Sequence, residues 1–143
     1  MSVWAREDIV WLAGYFEGEG SISLTQYEHR AHYILSITSC DKDTLERVRD
    51  IIGFGNFSGP YKRKNKDNKP YWQFQMSKKY QVLPILWAIY PWLGERRKAK
   101  VREVSLDFRK IRQDGRSKLL KHLSESLGYS IEEAKAFIEK RPN

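Results

Sequence analysis

Cysteine is nearly absent from this 143-residue chain: Cys40 stands alone, which excludes an internal disulfide and any zinc site built on several thiolates. Histidine is almost as scarce, and His29, His32 and His122 lack the spacing of a metal cluster, with or without Cys40. No apolar run approaches the roughly 18 residues that a membrane span needs. The opening stretch Met1–Asp8 lacks the basic segment and apolar core of a secretory signal. Internal repeats and low-complexity segments are missing as well. These absences predict a soluble, intracellular protein with no membrane partner.

Charge is plentiful and unevenly placed. Residues 1–60 carry 5 basic and 9 acidic side chains, whereas residues 61–143 carry 21 and 9, for a net +8 overall. A chain polarised in this way presents a basic surface suited to a polyanion, with nucleic acid ahead of an anionic membrane. Nothing suggests a small-molecule substrate.

Hydrophobic spacing predicts the elements. Ile9, Leu12, Ala13 and Phe16 share one face of a helix from Ala5 to Glu17, stopped by Gly18 and Gly20. Alternation then gives strands over Ser21–Tyr27 and His32–Ser39. A second helix runs from an Asp41 N-cap to Ile52 and ends at Gly53. Asn56–Lys64 and Tyr71–Met76 read as a hairpin, followed by helices near 78–90, where Pro84 should bend or delay the helix, and 95–112. After Gly115 come an amphipathic helix through Leu119, Leu120, Leu123 and Leu127, and a last helix opened by the capping box Ser130–Glu133. The expected fold is α+β: an αββαββα body over 1–112 with a saddle-shaped, four-stranded antiparallel sheet, and a helical extension over 113–143 packed on it. One sheet face should carry Ile22, Leu24, Leu35, Ile37, Phe57, Trp72 and Phe74. The other should be polar and open.

The stretch Leu12-Ala-Gly-Tyr-Phe-Glu-Gly-Glu-Gly20 is physically odd. Glu17 and Glu19 sit at a helix C-terminus, where the macrodipole disfavours negative charge by about 0.3–1 kcal/mol each. Carboxylates placed against the dipole suggest a bound cation, and a hard divalent ion such as Mg²⁺ suits oxygen donors. Gly14 and Gly18 weaken the helix but let another helix approach closely.

This stretch resembles the motif of the LAGLIDADG homing endonuclease family. Leu12, Ala13, Gly14 and Gly20 match it outright, Tyr15 and Phe16 are apolar where it is apolar, and Glu17 and Glu19 are acidic where it has Asp. Ile51-Ile-Gly-Phe-Gly55 and Tyr90-Pro-Trp-Leu93 before a basic cluster are similar to the same family, so that the resemblance spans about residues 8–112.

The resemblance implies a site-specific, metal-dependent double-stranded DNA endonuclease acting as a homodimer on a long near-palindromic site, since the chain carries one motif. It implies Glu19 and the Gly20 carbonyl as ligands of Mg²⁺, with Mn²⁺ or Ca²⁺ (non-catalytic) as substitutes. Leu12, Ala13, Gly14, Glu17 and Gly18 would form the dimer seam, and Glu17 would cap or orient neighbours. Arg96, with Arg97 and Lys98 beside it, matches the basic residue that stabilises developing charge, and Ser39 matches the polar residue that holds water. DNA would lie on the open face, against Ser21, Ser23, Thr25, Tyr27, His32, Ser36, Thr38, Asn56, Ser58, Lys62, Lys64, Tyr71, Gln73 and Gln75. Arg63, Lys66, Lys69 and Arg97 would add phosphate contacts. The alternative is a non-cleaving nucleic-acid-binding protein of the same fold, such as an intron maturase or a regulator. Compartment and host, whether bacterial, phage or organellar, stay open.

Overall fold

The computed structural model describes residues 4–27, 30–62, 69–108 and 113–142. Helix α1 (Arg6–Glu19) leads without a linker into β1 (Gly20–Tyr27), followed by β2 (Arg30–Ser39), α2 (Lys42–Ile52), β3 (Asn56–Tyr61) and β4 (Tyr71–Met76). Then come α3 (Lys79–Ile89), a 3₁₀ turn (Tyr90–Trp92), α4 (Glu95–Phe108), α5 (Gln113–Lys121), a π-helical turn (His122–Ser126) and α6 (Ile131–Glu139). The four strands form one antiparallel sheet in the order β1-β2-β4-β3.

Helices cover one sheet face. Leu35, Ile37 and Phe74 point into the core beside Leu12, Phe16, Leu45, Leu83 and Leu86, all of them 1% exposed or less. Ile22, Phe57 and Trp72 are half-buried at its margin. Leu24, expected among them, is 42% exposed on edge strand β1, although its partner on β2, Tyr33, is buried. Trp87 on α3 donates from Nε1 to the Ser105 hydroxyl on α4 at 2.7 Å, which satisfies a buried polar pair between the two helices.

Several local expectations change. Gly18 does not end α1; the helix continues through it and closes at Gly20, whose N–H donates to the Phe16 carbonyl. A Cβ on Gly20 would run into the Phe16 ring, so close packing accounts for that glycine. Asp41 occupies the N-cap of α2 without a side-chain cap bond, and its own N–H donates instead to the Ser39 hydroxyl at 3.0 Å. Gly53 ends α2 at φ 90°, a conformation that favours glycine. Helix α3 is continuous through buried Pro84, since proline removes one backbone donor and the surrounding apolar contacts hold the helix.

The last helices share the main core: Leu119, Leu123, Leu127, Tyr129 and Ala134 are buried in it. Ser130 and Glu133 form a reciprocal capping box at α6, with bonds of 3.1 and 3.3 Å. His122 is buried edge-on between Phe54 and Tyr80, with ring centroids 4.7 and 5.4 Å away. Burial pushes its pKa below the ordinary histidine value.

A depressed imidazole pKa means that the unfolded chain takes up a proton which the folded chain refuses. That stability is complete above about pH 6.5 and is lost as the pH falls below it. The hydrogen-bonded Glu133 carboxyl, also held below its usual range, loses its contribution only at lower pH. Wild-type Tm should therefore fall between pH 7.5 and 5.5, and thermal scans of His122→Phe should show a smaller drop over that interval.

Candidate nucleic-acid interface and active site

The chemistry gathers at the end of α1, a helix with no basic residue in its last turn. Its free carbonyls need positive charge, and Arg97 at the start of α4 brings it from 80 residues away. The Arg97 Nε donates to the Glu17 carbonyl at 3.1 Å and lies 3.7 Å from the Glu17 carboxylate. Its guanidinium covers the Phe16 ring at 5.0 Å. The Glu17 carboxylate also accepts the Gly94 N–H at 3.1 Å, and a Cβ on Gly94 would stand 2.8 Å from that carboxylate. Two elements far apart in sequence are thus clamped together.

The clamp sorts the acids and bases. Glu17 is occupied within the protomer. Arg97, expected at DNA phosphates, is instead turned inward with its side chain 13% exposed. Desolvation lowers its pKa, with Glu17 opposing and Arg96 adding to the shift. Glu19 is exposed and makes no hydrogen bond or ion pair among the described residues, so its carboxylate oxygens are unspent. Arg96 is likewise exposed and unpaired among them. Lys98 is half-buried, 5.5 Å from the Tyr90 ring. Ser39 lies on the helix-covered parity of β2, with Ile37, and its hydroxyl accepts from Asp41 while keeping a proton to donate.

Tyr15 was not singled out as a site residue, yet its hydroxyl is buried without a good hydrogen-bond partner among the described residues. Burial raises its pKa, the Ser39 hydroxyl works against the shift, and the Glu19, Asp41 and Asp43 carboxylates reinforce it. Its ring stacks on Trp11 at 5.3 Å, and Arg47 covers Trp11 at 4.0 Å.

The dimer-seam residues separate by burial. Leu12 and Ala13 are 1% and 0% exposed inside the protomer's own core, so they are not free to line a second surface. Gly14 and Gly18 lie on the exposed side of α1, and a Cβ at either would meet nothing within 4 Å. Val10, also exposed, extends that stripe at helical spacing, and Trp92 borders it across a cleft with Arg6, Glu7 and Trp11.

Strand register arranges the open face in rows. Ser21, Ser36, Gln75 and Asn56 stand side by side across all four strands, and the Ser21 and Ser36 hydroxyls are 2.8 Å apart. Thr38, Gln73 and Ser58 form the next row. Ser23 pairs with Ile34, an apolar member of this face that alternation should have flagged. Thr25 pairs with His32 in the backbone register, and β1 closes at Tyr27; the side chains of these three lie outside the described residues. So do Arg63, Lys64 and Lys66, while Lys62 and Lys69 are exposed at the edges of that gap. An irregularity at Gly59 and Pro60 resets β3, ends it three residues before the expected Lys64, and pairs Tyr61 with Tyr71, their rings 5.5 Å apart. The Gly-Pro pair within a strand pattern was the available signal for Tyr61.

Arg97→Ala removes a charged bond to a backbone carbonyl and leaves Glu17 partly unpaired. Discounted for the exposure of Glu17, the loss should be about 1–3 kcal/mol. Urea unfolding should show it as a lower midpoint, with Arg97→Lys recovering only part because lysine cannot cover Phe16 while bonding Glu17.

The comparisons with known proteins follow this geometry. No curated protein gives a significant match. Among solved structures, the archaeal intron-encoded homing endonuclease I-Vdi141I, complexed with DNA, is 16% identical with a TM-score of 0.55, covering 94% of this chain and 96% of its own. The homing endonuclease I-CvuI, solved with an I-CreI target and Mg and with the DNA not cleaved, is also 16% identical, with a TM-score of 0.57 over 95% and 97% of the two chains. The meganuclease I-CpaMI, bound to uncleaved DNA, is 18% identical with a TM-score of 0.53; the match covers 94% of this chain and 51% of that one. These likenesses show the fold. A model of the LAGLIDADG-like domain matches residues 7–139, and the chain belongs to that family.

Proposed function

We propose that the protein is a site-specific double-stranded DNA endonuclease that works as a homodimer and hydrolyses phosphodiesters with a divalent metal. The observation that carries this reading is Glu19: an exposed, unpaired carboxylate, set against its helix dipole, at the junction of a clamped helix and a polar open sheet. A protein that only bound DNA would gain nothing from a carboxylate there, since it repels phosphate. The DNA in the structures of I-Vdi141I and I-CpaMI, and the Mg and Ca present with I-CvuI, support the same reading.

The donor chemistry fits a hard cation. Glu19 offers two uncommitted oxygens and Gly20 a backbone carbonyl, but among the described residues no three acidic, histidine or cysteine side chains converge. The described residues of one protomer therefore form an incomplete metal site, which a second Glu19 brought in by a partner copy would complete. I-CpaMI, about twice as long as this chain, supports a functional unit of two such folds. The stripe Val10, Gly14 and Gly18 is the surface through which two copies of α1 would meet.

A bound Mg²⁺ would polarise the phosphoryl oxygen and acidify the attacking water. The chain's own residues do the rest. Arg96, exposed and unpaired, faces the developing negative charge, while Arg97 holds the helix end that carries Glu19. Ser39 keeps one hydroxyl proton with which to orient water. The rows Ser21–Ser36–Gln75–Asn56 and Thr38–Gln73–Ser58 present donors and acceptors to base edges in the major groove, and Lys62 and Lys69 contact phosphates without reading sequence. Residues 113–142 act in this reading as part of the supporting body.

Glu19→Gln should lower Mg²⁺-dependent cleavage of a selected target by at least about 100-fold. Its DNA affinity should hold in a mobility-shift assay with Ca²⁺; undiminished cutting would sink the ligand assignment. Selection of the target from a randomised plasmid library comes first, and binding without cutting in the wild type would favour a non-cleaving role. Gly14→Leu adds a side chain where the protomer has room, so it should fold normally yet sediment as a monomer.

A further inference from the structure

The open face of the sheet ends on a pair of tyrosines that its polar rows do not explain. Along β4, Gln75, Gln73 and Tyr71 alternate onto that face, and β3 sets Asn56, Ser58 and Tyr61 opposite them. The last step is irregular: β4 advances two residues from Gln73 to Tyr71, while β3 advances three from Ser58 to Tyr61. In an unbroken ladder Pro60 would stand opposite Tyr71, and Tyr61 would take the helix-covered parity. The extra residue returns Tyr61 to the open face, which is how a bulge re-aims a side chain. Local packing holds the bulge in place. Gly59 has φ 129°, a conformation that favours glycine, and a Cβ there would stand 3.0 Å from the Trp72 Cα.

The bulge therefore creates a patch of ring surface at the end of a hydrogen-bonding face. The Tyr61 and Tyr71 rings lie 5.5 Å apart and are tilted by 38°. Tyr61 is 42% exposed, and Tyr71 is half-buried. Lys62 and Lys69, both exposed, flank the pair in sequence. The adjoining row, Thr38, Gln73 and Ser58, carries hydroxyls and an amide. Ring surface between ammonium groups and a polar row suits a ligand whose apolar group lies among hydrogen-bonding edges and phosphates. Within a duplex the faces of the bases are stacked on one another, and the apolar group at the major-groove edge is the C5-methyl of thymine.

We propose that the Tyr61–Tyr71 pair is a specificity determinant that packs against a thymine methyl group in the major groove of the target. Lys62 and Lys69 hold the adjoining phosphates. The inference rests on the proposed use of this sheet face to bind duplex DNA, and goes further by naming the base feature read at its end. The rings act by apolar contact, so the discrimination does not need the phenol hydroxyls.

The test uses the full chain in Ca²⁺ and duplexes recovered by binding from a randomised library. Each thymine in turn is replaced by deoxyuridine, which removes the methyl and keeps every hydrogen-bonding group. Burial of one methyl corresponds to about fourfold in affinity, so one thymine in each half-site should show a loss of that size. Tyr61→Phe should keep the loss, and Tyr61→Ala should bring the thymine-to-deoxyuridine ratio towards one. Because the two duplexes are compared within one variant, a general change in affinity cancels. Failure of the wild type to retain any duplex overturns the DNA-binding reading and this inference with it. Retention without a methyl-sensitive thymine, or a methyl effect undiminished in Tyr61→Ala, overturns the inference alone.

Discussion

The bond between Arg97 and the last turn of α1 is the constraint on which the rest of the molecule depends. Helix α1 ends without a basic residue of its own, and its next residue, Gly20, already belongs to the sheet. With no linker between them, whatever fixes the helix end also fixes the entry of β1, and hence the lateral rows on the open face. The Phe16 ring is held between the guanidinium on one side and the space left by Gly20 on the other. Gly94 leaves room for the Glu17 carboxylate in the same way. Three small or flat contacts thus turn a helix terminus into a rigid corner. The one acid the corner does not consume, Glu19, projects from it.

Much of the fold was legible because it rests on periodicity. The helices through Leu12 and Phe16, and through Leu45 and Val48, and the strands through Leu35, Ile37 and Phe74, were marked by apolar spacing, and these residues are the buried ones. The matching motif around Gly14 and Gly20 then placed α1 against the sheet. Boundaries were harder wherever backbone hydrogen bonding overrode residue preference. Helix α1 runs through Gly18 and α3 through Pro84, because the helices' packing on the core outweighs local penalties of about 1 kcal/mol for glycine and about 3 kcal/mol for proline.

The candidate site was marked in the sequence by its residue types and less so by its pairings. Two acids and a basic cluster stood out, but which of them would neutralise one another depends on a contact across 80 positions that no local pattern encodes. Glu17 and Arg97 spend their charges on each other, whereas Glu19 and Arg96 are unpaired among the described residues. Tyr61 was missed because alternation assumes an unbroken ladder, and the break at Gly59 resets which residues share a face. His122 and the π turn were illegible for a related reason: a helix that widens by one residue keeps its apolar stripe in sequence while shifting what lies beneath it.

Gly14 and Gly18 carry a consequence for any effort to stabilise the chain. Nothing within the protomer crowds either position, so alanine at each would be accepted and would raise helix propensity by about 1 kcal/mol. A screen for heat resistance in single molecules would therefore enrich those alanines. Such a screen is blind to the proposed pairing between copies, and the open space at these two positions would be filled in by the same substitutions. In the proposed homodimer, folding and assembly would pull this one helix face in opposite directions, and keeping both glycines would forgo about 2 kcal/mol of local stability to leave that face bare.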